Sequence, residues 1–156
     1  MFLFGEEVGA EQDFVYGQVL EFREDLKALR HGTGKYLFKF YQDVIQLRLK
    51  NEALKSQNIE VVYTHNSNRI IAFRRWNESQ NYLIVASLSN LPFDDPGYFI
   101  ESSAIPHGRW QEVFNSDSAN YWGWNVGNAG GILYSSDMGV ECAIPAIGVL
   151  VFELVE

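Results

Sequence analysis

The chain has one cysteine among its 156 residues, Cys142, so no disulfide can close within it and no cluster of thiolates can hold a metal. A cytoplasmic compartment fits that usage best. Basic side chains are scarce: Lys and Arg total 12 against 20 Asp and Glu, and they form no block. At a net charge of −8 the chain lacks the footprint that phosphate backbones require, which excludes nucleic acid as a partner. No apolar run approaches about 18 residues, so no membrane-spanning helix is expected. The opening MFLFGEEVG has no basic stretch before its short apolar one, so it does not read as a signal peptide, and any export signal is expected to lie outside this chain. Internal repeats, low-complexity tracts and flexible linkers are absent, and no motif calls for a cofactor.

What remains is 47% apolar, ample for the core of one domain with a small appendage. FLFGEE reads as a short buried strand running into an acidic turn, after which residues 8–34 show no sustained period. Thr33, between Gly32 and Gly34, is the expected N-cap of a helix over 35–51. In that helix Leu37, Phe40, Val44 and Leu47 recur at helical spacing. A second row, Phe38, Tyr41, Ile45 and Leu49, makes the apolar face wider than a lone surface helix needs. Near Gln57 the period switches from helical to alternating. Residues 59–63, 69–76 and 81–88, separated by NSN and NESQ turns, read as an antiparallel meander, and 98–101, 109–114, 132–134, 140–144 and 149–155 as five further strands. Short strands at this spacing predict a mainly β fold, an antiparallel β-sandwich preceded by one long helix, with domains at 1–56 and 57–156. Trp110, on the alternating phase of 109–114, is a core candidate.

Three pieces, in order, carry a resemblance: FLFGEE, FYQDVIQLRLKNEAL and EVFNSDSANYWGWNVGNAGG. IPHGRWQEVFNSD and CAIPAIGVLVFEL extend it. Together they resemble the end of an α-amylase-superfamily enzyme of glycoside hydrolase family 13, and within it the 1,4-α-glucan branching enzymes. The resemblance spans nearly the whole chain. It implies that 1–56 are the last strand, loop and helix of a (β/α)8 barrel and that 57–156 are the C-terminal all-β domain. It also implies that the three catalytic carboxylates of the family lie on barrel strands preceding Met1, so the chain looks like a non-catalytic C-terminal fragment. Its implied partners are the barrel of the parent chain and α-glucan. One apolar row of the helix would face that barrel. Left bare, the row would be covered by Phe2, Leu3, Phe4 and Phe14, or by self-association of two copies.

Other chemistry is weaker. Glu6 and Glu7 are the tempting pair for a retaining glycosidase, which needs two carboxyl groups about 5–5.5 Å apart. Neighbours on an extended segment point to opposite faces, so they cannot flank one bond, and the resemblance puts them after the eighth barrel strand. Asp94, Asp95, Asn115 and Asp117 are oxygen-rich but lack the spacing of a calcium loop. The simpler expectation is that Asp94 and Asp95 sit in a Pro-flanked turn, and that Asn115 and Asp117 bond their own backbone. His31, His65 and His107 are expected at the surface, and no GxSxG elbow supports a nucleophile. No catalytic residue and no metal ligand is therefore assigned. Tyr121, Trp122, Trp124 and Asn125 admit two readings. Flat aromatic faces and an amide suit a sugar ring, which makes them candidate substrate-binding residues. Alternatively, the aromatics fold back and plug the edge of the sandwich, with Gly123, Gly127, Gly130 and Gly131 supplying the turns. The plug is the preferred reading of the two.

Overall fold

The structure, a computed structural model, describes residues 5–12 and 24–155. It divides into two compact units, Met1–Gln46 and Leu47–Glu156. The strand expected on FLFGEE falls mostly on residues 1–4, and Phe2, Leu3, Phe4 and Phe14 likewise lie outside the described residues.

In the first unit Glu6–Val8 form a 3-10 turn rather than an extended segment. Helix α1, Leu26–His31, begins at Asp25, whose carboxylate accepts the Ala28 N–H at 2.9 Å, and carries Arg30 and His31 in its last turn, where cations favour the helix dipole. It is under two turns long, too short to show a period. Helix α2, Lys35–Lys50, lies within a residue of its expected span. Its start differs, because the Gly34 carbonyl accepts the Phe38 N–H at 2.9 Å, so Gly34 takes the flanking position expected for Thr33. A Cβ on Gly34 would stand 2.1 Å from the Val8 carbonyl oxygen. Only glycine permits that approach.

The second unit starts at Leu47, takes in the last turn of α2 and a 3-10 turn at Glu52–Lys55, and continues as eight strands. These are β1 Ile59–His65, β2 Ile70–Trp76, β3 Asn81–Ser87, β4 Phe93–Glu101, β5 Gly108–Asn115, β6 Ile132–Ser135, β7 Gly139–Ile144 and β8 Gly148–Leu154. Each expected strand is found with shifted bounds: β1, β5, β6 and β7 are a residue or two longer than expected, and β4 begins five residues earlier. Six form an antiparallel sheet in the order β1-β2-β3-β8-β5-β6, and β4 pairs with β7 in a second, two-stranded sheet. The fold is the expected mainly β sandwich. Asn77 shapes the β2–β3 turn by accepting the Ser79 and Gln80 N–H groups at 3.0 and 2.7 Å.

Between the sheets, Leu83, Val85 and Leu150 meet Ile100, Val140 and Ile144 around Trp110, which is 0% exposed as its phase predicts. Its indole N–H donates to the Ser135 hydroxyl and the Pro106 carbonyl at 3.1 and 3.2 Å, so the ring is buried without an orphaned donor. On the outer face of the large sheet, Tyr82, Ile84 and Val151 are covered by Ala53, Leu54 and Leu47. That packing explains why the compact unit begins ahead of residue 57: the turn of 52–55 covers one face of β3 while the second sheet covers the other. Asp94 and Asp95 correct the expectation of a turn, for they lie within β4, where its register against β7 slips between Phe93 and Tyr98.

Candidate functional site

The segment between β5 and β6 is built from three polar side chains. Asn115, at the end of β5, accepts the Asp117 N–H at 2.8 Å and donates its amide to the Val126 carbonyl at 3.0 Å. Asp117 then gathers the far side of the loop. Its carboxylate accepts the N–H groups of Trp124 at 3.2 Å and Val126 at 2.9 Å, and its backbone carbonyl accepts that of Asn125 at 2.8 Å. Gly123 passes so close that a Cβ there would stand 2.1 Å from the Asp117 carbonyl oxygen. Asn125 closes the circuit by accepting the Ala119 N–H at 2.7 Å. Asn115 and Asp117 thus bond backbone, as expected.

At the base of the loop stands a residue that sequence reasoning passed over. Glu112 is 7% exposed and accepts three N–H groups: the Asn128 backbone at 2.8 Å, the Asn128 amide at 2.9 Å and the Gly130 backbone at 2.9 Å. Asn128 reaches on to β7, accepting the Ala143 N–H at 2.9 Å and donating to its carbonyl at 3.1 Å. A buried carboxylate is tolerated because its oxygens are filled with donors. The signal was there to read, since Glu112 falls on the same inward phase of β5 as Trp110.

On this frame the aromatics part company. Tyr121 is half-buried, its ring centroid 5.8 Å from that of Phe114, and so covers the sandwich as the plug reading expects. Trp122 and Trp124 are 81% and 90% exposed, which overturns the plug for both indoles. Hydrogen bonds to Asn115, Asp117 and Glu112 already hold the loop, so no apolar plug is needed. The turn itself differs in part from expectation: Gly130, at φ +67°, supplies a turn as expected, but the positive φ angles nearer the indoles fall elsewhere. Trp122 adopts φ +70° and Asn125 φ +61°, while Gly123 serves for close approach. A bulky residue at positive φ is uncommon and carries a strain that the surrounding bonds must hold. The structure brings Tyr121, Trp122, Trp124 and Asn125 together on one small loop, with two large indole faces in solvent and one end of the Asn125 amide committed to the loop.

The other candidates remain scattered. Glu6 and Glu7 share a 3-10 turn in which successive residues are about 120° apart, so they do not converge; Glu6 accepts the Tyr41 hydroxyl at 3.3 Å. His31, His65 and His107 are all exposed, and among the described residues no three His, Cys, Asp or Glu side chains are placed to hold a metal ion. Burial pushes the Cys142 thiol up to about 12, with Glu112 and Glu141 adding to it, so it stays protonated and is no nucleophile. Tyr63 is also pushed up to about 12, first by burial and then by its 2.8 Å bond to the Tyr98 hydroxyl. The Tyr63 phenol is therefore no base near neutrality. Among the described residues, the candidates that come together are those of the loop, Tyr121, Trp122, Trp124 and Asn125.

Known proteins share this fold. Residues 61–155 match the family described as alpha amylase, C-terminal all-beta domain. The chain is 27% identical over 156 residues to the 1,4-alpha-glucan branching enzyme GlgB of Pseudomonas putida, a match covering 88% of this chain and 20% of that protein. It is 34% identical over 137 residues to the GlgB of Prochlorococcus marinus strain MIT 9303, covering 80% and 18%. The chain spans about a fifth of the length of these relatives. Among solved structures it resembles the alpha-amylase of H. orenii, at TM-score 0.52 and 24% identity over 76% of this chain and 20% of that one. The alpha-amylase of Geobacillus thermoleovorans superposes at TM-score 0.58 with 9% identity, covering 77% and 23%. At such identities the likeness is one of fold.

Proposed function

Because the chain belongs to the family of alpha-amylase C-terminal all-beta domains, we propose that it is the non-catalytic C-terminal domain of an enzyme that remodels α-glucan, and that the parent activity is 1,4-α-glucan branching. In that activity an α-1,4 bond is cleaved with formation of a covalent glycosyl-enzyme, and the chain is transferred to a 6-hydroxyl. The observation that carries this reading is the name shared by the curated relatives, 1,4-alpha-glucan branching enzyme, in a match reaching 88% of this chain. An α-amylase-type hydrolase, with water as the acceptor, is the alternative; the likeness to alpha-amylases supports it through fold alone.

In this reading the catalytic carboxylates belong to a (β/α)8 barrel of the same parent chain, and the chemistry is that of a glycosyltransferase of glycogen or starch metabolism in the cytoplasm. Among the described residues no helix is long and apolar enough to cross a membrane. Two assays test it. The 156-residue chain alone should leave iodine staining and reducing ends of amylose at baseline; turnover abolished by Glu6→Gln or Glu7→Gln would overturn the non-catalytic assignment. The parent enzyme should create isoamylase-sensitive α-1,6 links without a matching gain in reducing ends, whereas a gain in reducing ends without new branches would make it a hydrolase.

One observation favours a second role for the same domain, direct contact with glucan through Tyr121, Trp122, Trp124 and Asn125. It is the exposure of the two indoles, on a loop whose backbone is bonded to the Asn115, Asp117 and Glu112 side chains. Retardation of the chain in a gel containing glycogen tests that role, since a domain that only buttresses a barrel migrates freely.

A further inference from the structure

The loop's construction extends the glucan-contact reading, on which the following inference rests, from which residues touch the sugar to what makes them able to. Three consecutive N–H groups, those of Trp124, Asn125 and Val126, converge on Asp117, the first and third on its carboxylate and the second on its carbonyl. Asp117 is itself aimed by Asn115, which accepts its N–H and ties the Val126 carbonyl from the other side. Val126 is thereby held at both its N–H and its C=O. The neighbouring Trp122 N–H is bonded to the Ala119 carbonyl at 3.1 Å, and Tyr121 rests on Phe114. The segment that carries the exposed indoles is therefore fixed by hydrogen bonds within the loop itself.

Charge narrows the ligand. From Ser118 to Ser136 the sequence carries no charged side chain, and the Asp117 carboxylate is spent on backbone donors. Such a surface offers nothing to a phosphate, an acidic peptide or a basic one, and it suits a neutral polyol whose C–H faces stack on indole. Trp122 keeps a positive φ that a bulky residue avoids, although its ring fills no part of the core. Strain held at an exposed aromatic is expected where the orientation of the ring matters.

We infer that the loop is a preformed stacking platform for a linear stretch of neutral α-glucan, and that Asp117 is its positioning residue, fixing Trp124 and Val126 before the sugar arrives. Glucan then docks on a loop already ordered, and the affinity lost to ordering is small. Two indoles one residue apart ask for more than a single ring, so chains of several glucose units bind and free glucose does not.

The test uses the 156-residue chain with glycogen in affinity electrophoresis and with maltoheptaose in calorimetry, glucose serving as the control. Trp124→Ala should abolish retardation. Asp117→Ala should weaken maltoheptaose about tenfold, as loss of preorganisation does, and speed hydrogen exchange at the Trp124 and Val126 amides. Asp117→Asn, which keeps one accepting oxygen, should recover part of both, and it replaces Asp117→Ala if that variant does not fold. Full affinity in the Asp117 variants, with binding lost in Trp124→Ala, would overturn the positioning role and leave glucan contact standing. Retardation unaffected by Trp124→Ala would move the glucan elsewhere and overturn the platform. Free migration of the unsubstituted chain would remove both.

Discussion

Trp110 and Trp122 are the same residue type in opposite settings, and replacing each in turn separates core from platform by a wide margin. Trp110 is 0% exposed in β5, and Trp110→Ala removes the whole indole from between the sheets. Truncating a buried Phe or Trp costs about 3–5 kcal/mol, the transfer of the side chain plus the cavity left behind. No orphaned polar group adds to this. The Ser135 hydroxyl that loses the indole N–H still donates to the Pro106 carbonyl at 2.7 Å and accepts the Gly108 N–H at 3.0 Å. A loss near the middle of the range, about 4 kcal/mol, is expected, which for a unit of this size lowers the melting temperature by roughly 15 °C.

Trp122→Ala removes a ring that is 81% exposed, so the transfer term almost vanishes and the change should stay within about 0.5 kcal/mol. Trp122→Gly should do better, because φ +70° costs glycine nothing; a gain of up to about 1 kcal/mol is expected. Urea and thermal denaturation followed by far-ultraviolet circular dichroism measure all three without relying on the fluorescence of the residue removed. Losses of similar size at Trp110 and Trp122 would show that the second ring is buried in solution, and would restore the plug. A Trp110→Ala loss below about 1 kcal/mol would contradict its place in the core.

Glu112→Ala removes an acceptor shared by three N–H groups at the base of the loop and should cost about 3 kcal/mol, with faster hydrogen exchange at the Asn128 and Gly130 amides; a loss under about 1 kcal/mol would mean that water replaces the carboxylate freely. Cys142, whose thiol burial holds up at about 12 against an ordinary 9.0, should resist alkylation in the folded chain at pH 8 and react once urea unfolds it. Its folded pKa is the raised one, so its contribution to stability is full below pH 9 and is lost as pH rises toward 12; a denaturation midpoint that increases across that window would reverse the sign of the argument. In α2, Val44, Ile45 and Leu49 are 37%, 50% and 58% exposed, so the chain should self-associate with rising concentration in light scattering, and Phe40→Glu or Val44→Glu should suppress it; a monomer at every concentration would show that this stripe drives no association.

The strands were legible because each carries its own evidence of burial: a run such as Leu83 and Val85 on one phase with Tyr82 and Ile84 on the other needs no partner to be recognised as β. Their order was not legible. β8 lies between β3 and β5, and nothing in the alternation of Val149 to Phe152 distinguishes a strand at the centre of a sheet from one at its edge. Proline misled at Asp94 and Asp95, because a bulge inside a strand accepts the same residues as a turn. Helix α1 was missed for want of length, its cap at Asp25 being a signal too common to stand alone.

The loop shows where composition stops being informative. Two tryptophans, a tyrosine and several asparagines and glycines fit a plug and a platform equally well, because both use aromatic area and tight turns. What decides between them is how the backbone of 124–126 is held. Had the indoles anchored the loop, the Asn115 and Asp117 side chains would have been superfluous to it. Those two side chains instead reach across nine to eleven residues to Val126, and the rings are left in solvent. A contact between residues so far apart leaves no periodic trace in the sequence, whereas the buried Glu112 did leave one, as a charge on the inward phase of β5. The lesson is specific to polar loops: a carboxylate with backbone donors nearby has to be placed before the aromatics beside it can be assigned to the core or to a ligand.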